Sequence, residues 1–317
     1  MTTARHLTDI ASLDDEALLQ ILERSLTFRR MMDQGRYPKP VLEGRLQFNL
    51  FFENSTRTNL SFEVAAKRLG AIVSVVPVAA SSVHKGETVD DTVVTLCAQG
   101  ADYLVIRAAP AGTIASAVSV IERNGYPTSI LNAGEGALGH PTQGLLDVSS
   151  VLYALKRQPD DRLEDVRLSI CGDIRHSRVA ASAIEGFSRM GAQITLVGPS
   201  QLLPSEKPAG VAAMIEDLGD GIDGADVVMA LRIQKERFGA DEGLSLDGFH
   251  EQFGLNHAKL KRASPDAIVM HPGPMNRGVE ISDALADDPE RSLIRSQVTH
   301  GVATRMAVLE WLEEARR

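Results

Sequence analysis

The sequence predicts an α/β fold of two domains, each a doubly wound parallel sheet, with an active-site cleft between them. Three observations carry that prediction. Short β-branched or aromatic runs alternate with amphipathic stretches through the first half of the chain, the pattern of a parallel sheet covered by helices. A charged, proline-containing linker from Arg157 to Asp165 interrupts the alternation, which restarts at Val166. Polar residues then cluster after strand after strand, where ligands gather in sheets of this kind. The length of 317 residues agrees, since it exceeds one comfortable core and suits two domains of about 150 residues each.

The elements follow in chain order. Leu18, Leu19, Leu22 and Leu26 share a face, and Asp14, Asp15 and Glu16 favour the positive end of a dipole, so Asp14 to Arg30 is predicted as a helix packed on the first domain. Leu46 to Phe52 crowds Leu46, Phe48, Leu50, Phe51 and Phe52 into one short run and reads as a buried strand. Ser55-Thr56-Arg57-Thr58 comes next and opens a helix that carries Leu60, Ala65 and Leu69 and stops at Gly70, where a left-handed cap belongs. Ile72 to Val78 is a β-branched strand. Ala79 to Glu87 is a small polar loop with Ser81, Ser82, His84 and Lys85, and Thr88 starts another helix. Strand Tyr103 to Ile106, helix Thr113 to Arg123 and strand Thr128 to Leu131 complete the first sheet. Asn132 to Gly139 is a glycine-rich loop that ends at His140-Pro141-Thr142-Gln143, after which Leu145, Leu146, Val148, Val151, Leu152 and Leu155 mark a long helix connecting the domains.

The second series runs strand Val166 to Cys171, helix Val179 to Met190, strand Gln193 to Val197, a helix around Val211 to Leu218, and strands Asp226 to Leu231 and Ala267 to Met270. Val298, Val302, Met306 and Leu309 mark a last helix, placed to fold back on the first domain as a brace. No period of repeat-protein length is visible, so the likeness of the halves is architectural.

The quartet at 55–58 is the most informative stretch. Unpaired backbone N–H groups at a helix N-terminus, three hydroxyls and one guanidinium together make a cradle for phosphate or carboxylate. Plain N-capping by Ser or Thr with a solvated arginine is the competing account. An arginine in the first turn opposes the dipole, which a nearby anion would explain. Arg107, His140, Arg178, Arg232 and His271 follow other strands in the same way, and six polar clusters at equivalent positions point to one cation-rich cleft, although Arg107 or His140 alone would pass for a structural residue.

Composition narrows the classes. With 33 basic against 42 acidic residues the formal charge is −9, which disfavours general nucleic-acid binding. Any anion must therefore be gathered by local arginines and helix ends. Apolar residues make up 44 % and charged residues 24 %, ordinary for a soluble protein, and no apolar run is long enough to span a bilayer. The N-terminal stretch lacks the apolar core of a signal peptide, so a cytoplasmic location is expected. Cys97 and Cys171 sit in separate apolar runs and read as buried thiols, and no metal-site spacing occurs.

Phe51 to Thr58, the His140-Pro141-Thr142-Gln143 loop, Leu231 to Arg237 and His271-Pro272-Gly273-Pro274, taken together, resemble the aspartate/ornithine carbamoyltransferase family from end to end. The first two motifs are common to the family. The later two resemble its aspartate-using members; the Ser-Met-Gly and His-Cys-Leu-Pro strings of ornithine-using members do not occur here. The charge agrees, because two carboxylates want arginine whereas a second amine wants an acidic or neutral pocket. His271 to Glu280 is similar to the version in many bacterial members. The enteric member with separate regulatory chains has a different string there, which counts against that particular type of allosteric partner.

The resemblance implies transfer of the carbamoyl group of carbamoyl phosphate to the amine of L-aspartate, giving N-carbamoyl-L-aspartate and phosphate, in de novo pyrimidine biosynthesis. It implies a carbamoyl-phosphate-binding domain over residues 1–145 and 298–317 and an aspartate-binding domain over 146–297. Ser55, Thr56, Arg57, Thr58 and Arg107 would hold the phosphate, and His140 with Thr58 and Arg107 would donate to the carbonyl oxygen. Gln143 and backbone carbonyls near Gly273 and Pro274 would orient the carbamoyl NH2. Arg178 would pair with the α-carboxylate of aspartate, Arg232 and Gln234 with the β-carboxylate, and Lys85 would sit between the substrates. Arg57, Thr58, Lys85, Arg107 and His140 are thus the expected catalytic set, with no cofactor and no metal. A homotrimer is implied, with Ser81 and Lys85 reaching into a neighbour's site, and a larger assembly with a regulatory or dihydroorotase-like chain stays open. Without the resemblance, residues 79–87 would read as a surface loop and Lys85 as solvated.

Readings from other classes fare worse. A dinucleotide-dependent dehydrogenase would need bare glycine backbone after Leu168 to Cys171, and Arg175, His176 and Ser177 stand there instead. A phosphate-loop ATPase fails because Lys85-Gly86 reverses the required order. A catalytically silent scaffold would be expected to have lost some of these polar groups, and each one that maps is present.

Overall fold

The computed structural model describes residues 6–76, 88–233 and 246–316. Ser81, Lys85 and Gln234 lie outside the described residues, as do the predicted loop over 79–87 and the stretch after Arg237. The chain separates into two compact units, Met1–Ser149 with Thr299–Arg317, and Ser150–Val298.

The first unit is built on β1 (Leu46–Phe51), whose four interior residues are all buried. Helix α2 (Thr56–Arg68) and strand β2 (Ile72–Val76) follow it, then α3 (Val89–Ala98), β3 (Tyr103–Ala108), α4 (Thr113–Asn124), β4 (Ser129–Glu135) and α5 (Pro141–Ala154). The strands are all parallel, in the order β2-β1-β3-β4. Ahead of them α1 (Asp15–Asp33) is capped by Asp14, whose carboxylate accepts the Ala17 N–H at 2.7 Å.

The expected glycine-rich loop over 132–139 is half strand, because β4 runs on to Glu135 with every residue buried. Its polar side chains stay inside because they are satisfied there. Asn132 donates to the Thr8 carbonyl and accepts from the Gly134 N–H, both at 2.8 Å, and Glu135 accepts the Ile114 N–H at 2.9 Å.

The closing helix α11 (Ile294–Arg316) starts within the second unit and continues through the first, as the brace reading expects. Glu313 accepts from the Tyr103 hydroxyl at 2.6 Å and from Arg45 at 2.7 Å, and Glu310 accepts from Arg24 at 2.6 Å. Tyr103 and Glu313 are both buried, so their charge-assisted bond contributes about 1.5–3 kcal/mol. Burial and the neighbouring carboxylate push the Tyr103 phenol well above its ordinary range, which keeps it a donor.

The second unit repeats the plan with β5 (Arg167–Cys171), α6 (Arg178–Arg189), β6 (Gln193–Val197), β7 (Val211–Ile215), α7 (Leu218–Gly221), β8 (Val227–Ala230), α8 (Leu246–Phe253), α9 (His257–Leu260), β9 (Ile268–Met270) and α10 (Asp283–Ala286). All its strands are parallel, in the order β7-β6-β5-β8-β9. The helix expected around Val211 to Leu218 is instead the edge strand β7 followed by the short α7. Five apolar residues are too few to separate a helical period from a strand, and the open edge of β6 supplies ladder partners, Leu196 against Met214 among them. That pairing outweighs the helix preference of alanine and methionine. Among the described residues no helix is long and apolar enough to cross a membrane.

Candidate active site

In the first sheet the strand order reverses between β1 and β3, so the ends of these strands flank its switch point. Phe51 stands opposite Arg107 there, and the Phe52 N–H donates to the Arg107 carbonyl at 2.9 Å. Ser55 is the N-cap of α2, and Thr56, Arg57 and Thr58 form its first turn. The cap makes no side-chain hydrogen bond to the helix and the first turn holds no acid, so simple capping does not account for the quartet. The start of the helix is held on β1 through buried amides: Gln47 donates to Asn49, and Asn49 donates to the Asn59 side chain, both at 2.8 Å. Arg57 is exposed and Arg107 half-buried. Arg107 donates to the Ala133 carbonyl at 3.2 Å and lies 3.4 Å from the Glu53 carboxylate.

β4 adds the third component. The Glu135 N–H bonds to the Gly139 carbonyl at 3.0 Å and closes a tight turn, so His140 lies beside the end of the strand. Its carbonyl accepts the Gln143 N–H at 2.8 Å, and Pro141 occupies the first helical position, where a missing N–H costs nothing. His140 is 3 % exposed. Gln143 is buried one turn further on, its amide nitrogen 3.0 Å from an Asp147 oxygen. The adjacency of β1, β3 and β4 therefore brings the quartet, Arg107, His140 and Gln143 to one edge of one sheet.

The second sheet reverses between β5 and β8, and the two expected arginines of this unit follow those strands. Gly172, at the end of β5, has φ +121°, and a Cβ there would stand 3.0 Å from the Leu231 carbonyl oxygen, so glycine lets the two strand ends approach. Asp173 accepts from His176 Nδ1 at 2.9 Å, shaping the turn into α6. Ser177 caps that helix by accepting the Ala180 N–H, and Arg178 is its first residue.

His271 follows β9, as expected, but its side chain is fully buried and engaged within the unit. Its Nδ1 accepts the Gly273 N–H at 2.9 Å, so Nε2 carries the proton and donates to Glu280 at 3.1 Å. His271 thus shapes the Gly273–Pro274 turn, whose peptide bond is cis. Asn276 fastens the same turn to the Arg232 segment by donating to the Ile233 carbonyl at 2.9 Å.

Sequence reasoning reads Glu53 only as part of the Phe51 to Thr58 motif, and Asp147, Asn276 and Glu280 are the participants that it missed. Only Asp147 had left a legible mark, lying four residues beyond Gln143 on a predicted helix, the spacing at which side chains meet.

Comparison with known proteins agrees with this layout. Residues 5–152 match the family model described as aspartate/ornithine carbamoyltransferase, carbamoyl-P binding domain, and residues 164–312 match its Asp/Orn binding domain. An aspartate carbamoyltransferase catalytic subunit of Granulibacter bethesdensis is 44 % identical over 98 % of this chain and 95 % of its own length. Its namesake from Bradyrhizobium diazoefficiens is 47 % identical, over 97 % of this chain and 94 % of its own. Among solved structures, aspartate transcarbamoylase from Trypanosoma cruzi in complex with carbamoyl phosphate and aspartate superposes with a TM-score of 0.83 at 30 % identity, covering 98 % of this chain and 97 % of that one. The ornithine carbamoyltransferase from Pyrococcus furiosus shares the fold, with the same TM-score of 0.83 at 24 % identity over 97 % of this chain and 96 % of its own. With a family model over each half and relatives of this identity along nearly its whole length, the chain belongs to the aspartate/ornithine carbamoyltransferase family.

Proposed function

We propose that the chain transfers the carbamoyl group of carbamoyl phosphate to L-aspartate, forming N-carbamoyl-L-aspartate and phosphate for pyrimidine synthesis. The observation that carries this reading is the pair of arginines at each switch point, Arg57 with Arg107 in the first unit and Arg178 with Arg232 in the second. The first pair, with the hydroxyls and N–H groups of residues 55–58, suits a phosphate. The second pair suits two carboxylates and would repel the second amine of ornithine. The names of the relatives support the same acceptor.

In the proposed reaction the aspartate amine attacks the carbonyl carbon, a C–N bond forms, and the carbonyl oxygen gains negative charge. Thr58, Arg107 and His140 donate to that oxygen, and such donors are worth about 3–4 kcal/mol each when fixed in advance. Collapse breaks the C–O bond to phosphate, whose departing oxygens are held by residues 55–58 and Arg107 and can take the amine proton. Gln143 and the carbonyls near Gly273 and Pro274 orient the carbamoyl NH2, while Arg178, Arg232 and Gln234 hold the acceptor. Positioning and charge stabilisation carry the rate. The test is release of phosphate from carbamoyl phosphate by the purified protein, which should depend on L-aspartate. Release no faster with aspartate than without it would overturn the reading.

The same proposal includes a homotrimer with shared sites, acting in the cytoplasm, where the two free buried cysteines would stay reduced. Its support is the edge strand β2, on which Ile72 is 62 % and Val75 42 % exposed, close in sequence to Leu60 and Val64 of α2, 52 % and 38 % exposed. The relatives' name, catalytic subunit, supports a further, non-catalytic chain in a larger assembly, and whether it is regulatory or dihydroorotase-like stays open. Ser81 and Lys85 are assigned to the neighbouring site. Arg57→Ala and Lys85→Ala proteins, each inactive alone, should regain roughly a quarter of wild-type activity when dissociated, mixed and reassembled, because one site in each mixed ring combines neither defect. Mixed rings that stay inactive would place Lys85 in its own chain's site.

A further inference from the structure

Gln143 lies against a buried carboxylate, and that contact has a chemical consequence. A primary amide can present either its oxygen or its nitrogen, and the two ends are almost the same shape. An ionised carboxylate only accepts, so the end of Gln143 that lies 3.0 Å from Asp147 Oδ1 must be Nε2. The opposite end, Oε1, is then an acceptor.

Asp147 is fully buried on α5, one turn after Gln143, and is held in a larger arrangement within the first unit. Arg305 of α11, itself 3 % exposed, is the buried cation on which the Asp147 charge acts. Burial pulls the Arg305 guanidinium down to about 9, and the Asp147 carboxylate opposes that fall. Arg305 donates to Ser61 Oγ of α2 at 2.9 Å and to the Gly301 carbonyl at 3.0 Å, and its guanidinium lies 4.8 Å from the centroid of the Phe62 ring. A Cβ on residue 301 would stand 2.7 Å from Arg305 Nη1, so glycine there leaves room for the arginine. The helix that begins with the quartet and the closing helix thus meet at Arg305, and the charge of Asp147, on the helix that carries Gln143, acts on the same guanidinium.

We propose that Asp147 is a positioning residue that fixes the polarity of the Gln143 amide, so that the site accepts a hydrogen bond from the donor substrate's NH2 and thereby selects a carbamoyl over an acetyl group. The proposal rests on the carbamoyl-transfer reading. Acetyl phosphate has the same charge and nearly the same shape, with a methyl group in place of NH2. The phosphate and carbonyl contacts are common to both compounds, and the acceptors facing the NH2, the Gln143 amide oxygen with the backbone carbonyls near Gly273 and Pro274, tell them apart. A buried acceptor left facing a methyl group loses its partner, and the site pays for that in affinity.

The test compares Asp147→Asn and Asp147→Glu with wild type, measuring carbamoyl phosphate affinity and the inhibition constant of acetyl phosphate as its competitor. Asparagine can donate as well as accept, so the Gln143 amide loses its fixed orientation. Glutamate keeps an acceptor-only carboxylate and the charge that acts on Arg305, and so separates loss of polarity from loss of charge. In Asp147→Asn carbamoyl phosphate should bind about tenfold more weakly, with acetyl phosphate inhibition unchanged within about twofold, whereas Asp147→Glu should stay closer to wild type. Equal weakening of both compounds in Asp147→Asn would mean that Asp147 only supports the fold and would overturn the proposal, as would unchanged affinity for both. If the wild-type protein does not carbamoylate aspartate at all, the functional reading itself fails, and that result is distinct from either of these.

Discussion

Arg57→Ala is expected to lower kcat by about a hundredfold to a thousandfold while leaving the fold intact. The guanidinium is asked to hold phosphate as it leaves, a contact that strengthens as charge develops, and losing one such fixed donor costs about 3–4 kcal/mol of barrier. Nothing comparable is lost from the fold, because Arg57 is exposed on the first turn of α2 and the helix is anchored elsewhere, through Asn59 and the buried Phe62, Ala65 and Ala66. Steady-state kinetics and circular dichroism together decide the matter. A variant with the wild-type spectrum and kcat within about threefold of wild type would remove Arg57 from the phosphate site.

Arg232→Ala should act on the other substrate. Its side chain follows β8 at the switch point of the second sheet, and the adjoining Ile233 carbonyl is held by Asn276, so the arginine projects from a fixed backbone. Losing the charge-assisted partner of a carboxylate should raise the KM for aspartate by about a hundredfold. Titration with a phosphonate analogue of carbamoyl phosphate should give the wild-type affinity. Collapse of that affinity, with the KM for aspartate unchanged, would assign Arg232 to the phosphate site.

The fold was legible in the sequence wherever a pattern was long or punctuated. Strand β1 stands out because five large apolar residues precede a polar turn, and α1 because its apolar face and acidic first turn are unmistakable. Residues 211–215 misled because five apolar residues fit either period, and the open edge of β6 decided between them. Asn132 to Glu135 misled for another reason: asparagine and glycine signal a loop, yet the Asn132 and Glu135 side chains find partners at Thr8 and Ile114, distant in the chain.

The site divides along the same line. Arg57, Arg107, His140, Arg178 and Arg232 could be picked out because each follows a strand, a property written in local order. Glu280 and Asn276 could not, because their partners, His271 and the Ile233 carbonyl, are set by how the loops fold back. His271 shows the limit most clearly. Its position after β9 was legible, but not that both ring nitrogens are spent on shaping the Gly273–Pro274 turn.

The central claim is that the acceptor is a dicarboxylate amine, and one competition experiment tests it most directly. Purified protein is given 13C-carbamoyl phosphate with equal concentrations of L-aspartate and L-ornithine in one vessel, and the labelled products are resolved by mass spectrometry. The account predicts N-carbamoyl-L-aspartate as the enzymatic product, with citrulline no higher than in a control without enzyme. Labelled citrulline as the main enzymatic product, or no product above the control from either amine, would contradict it.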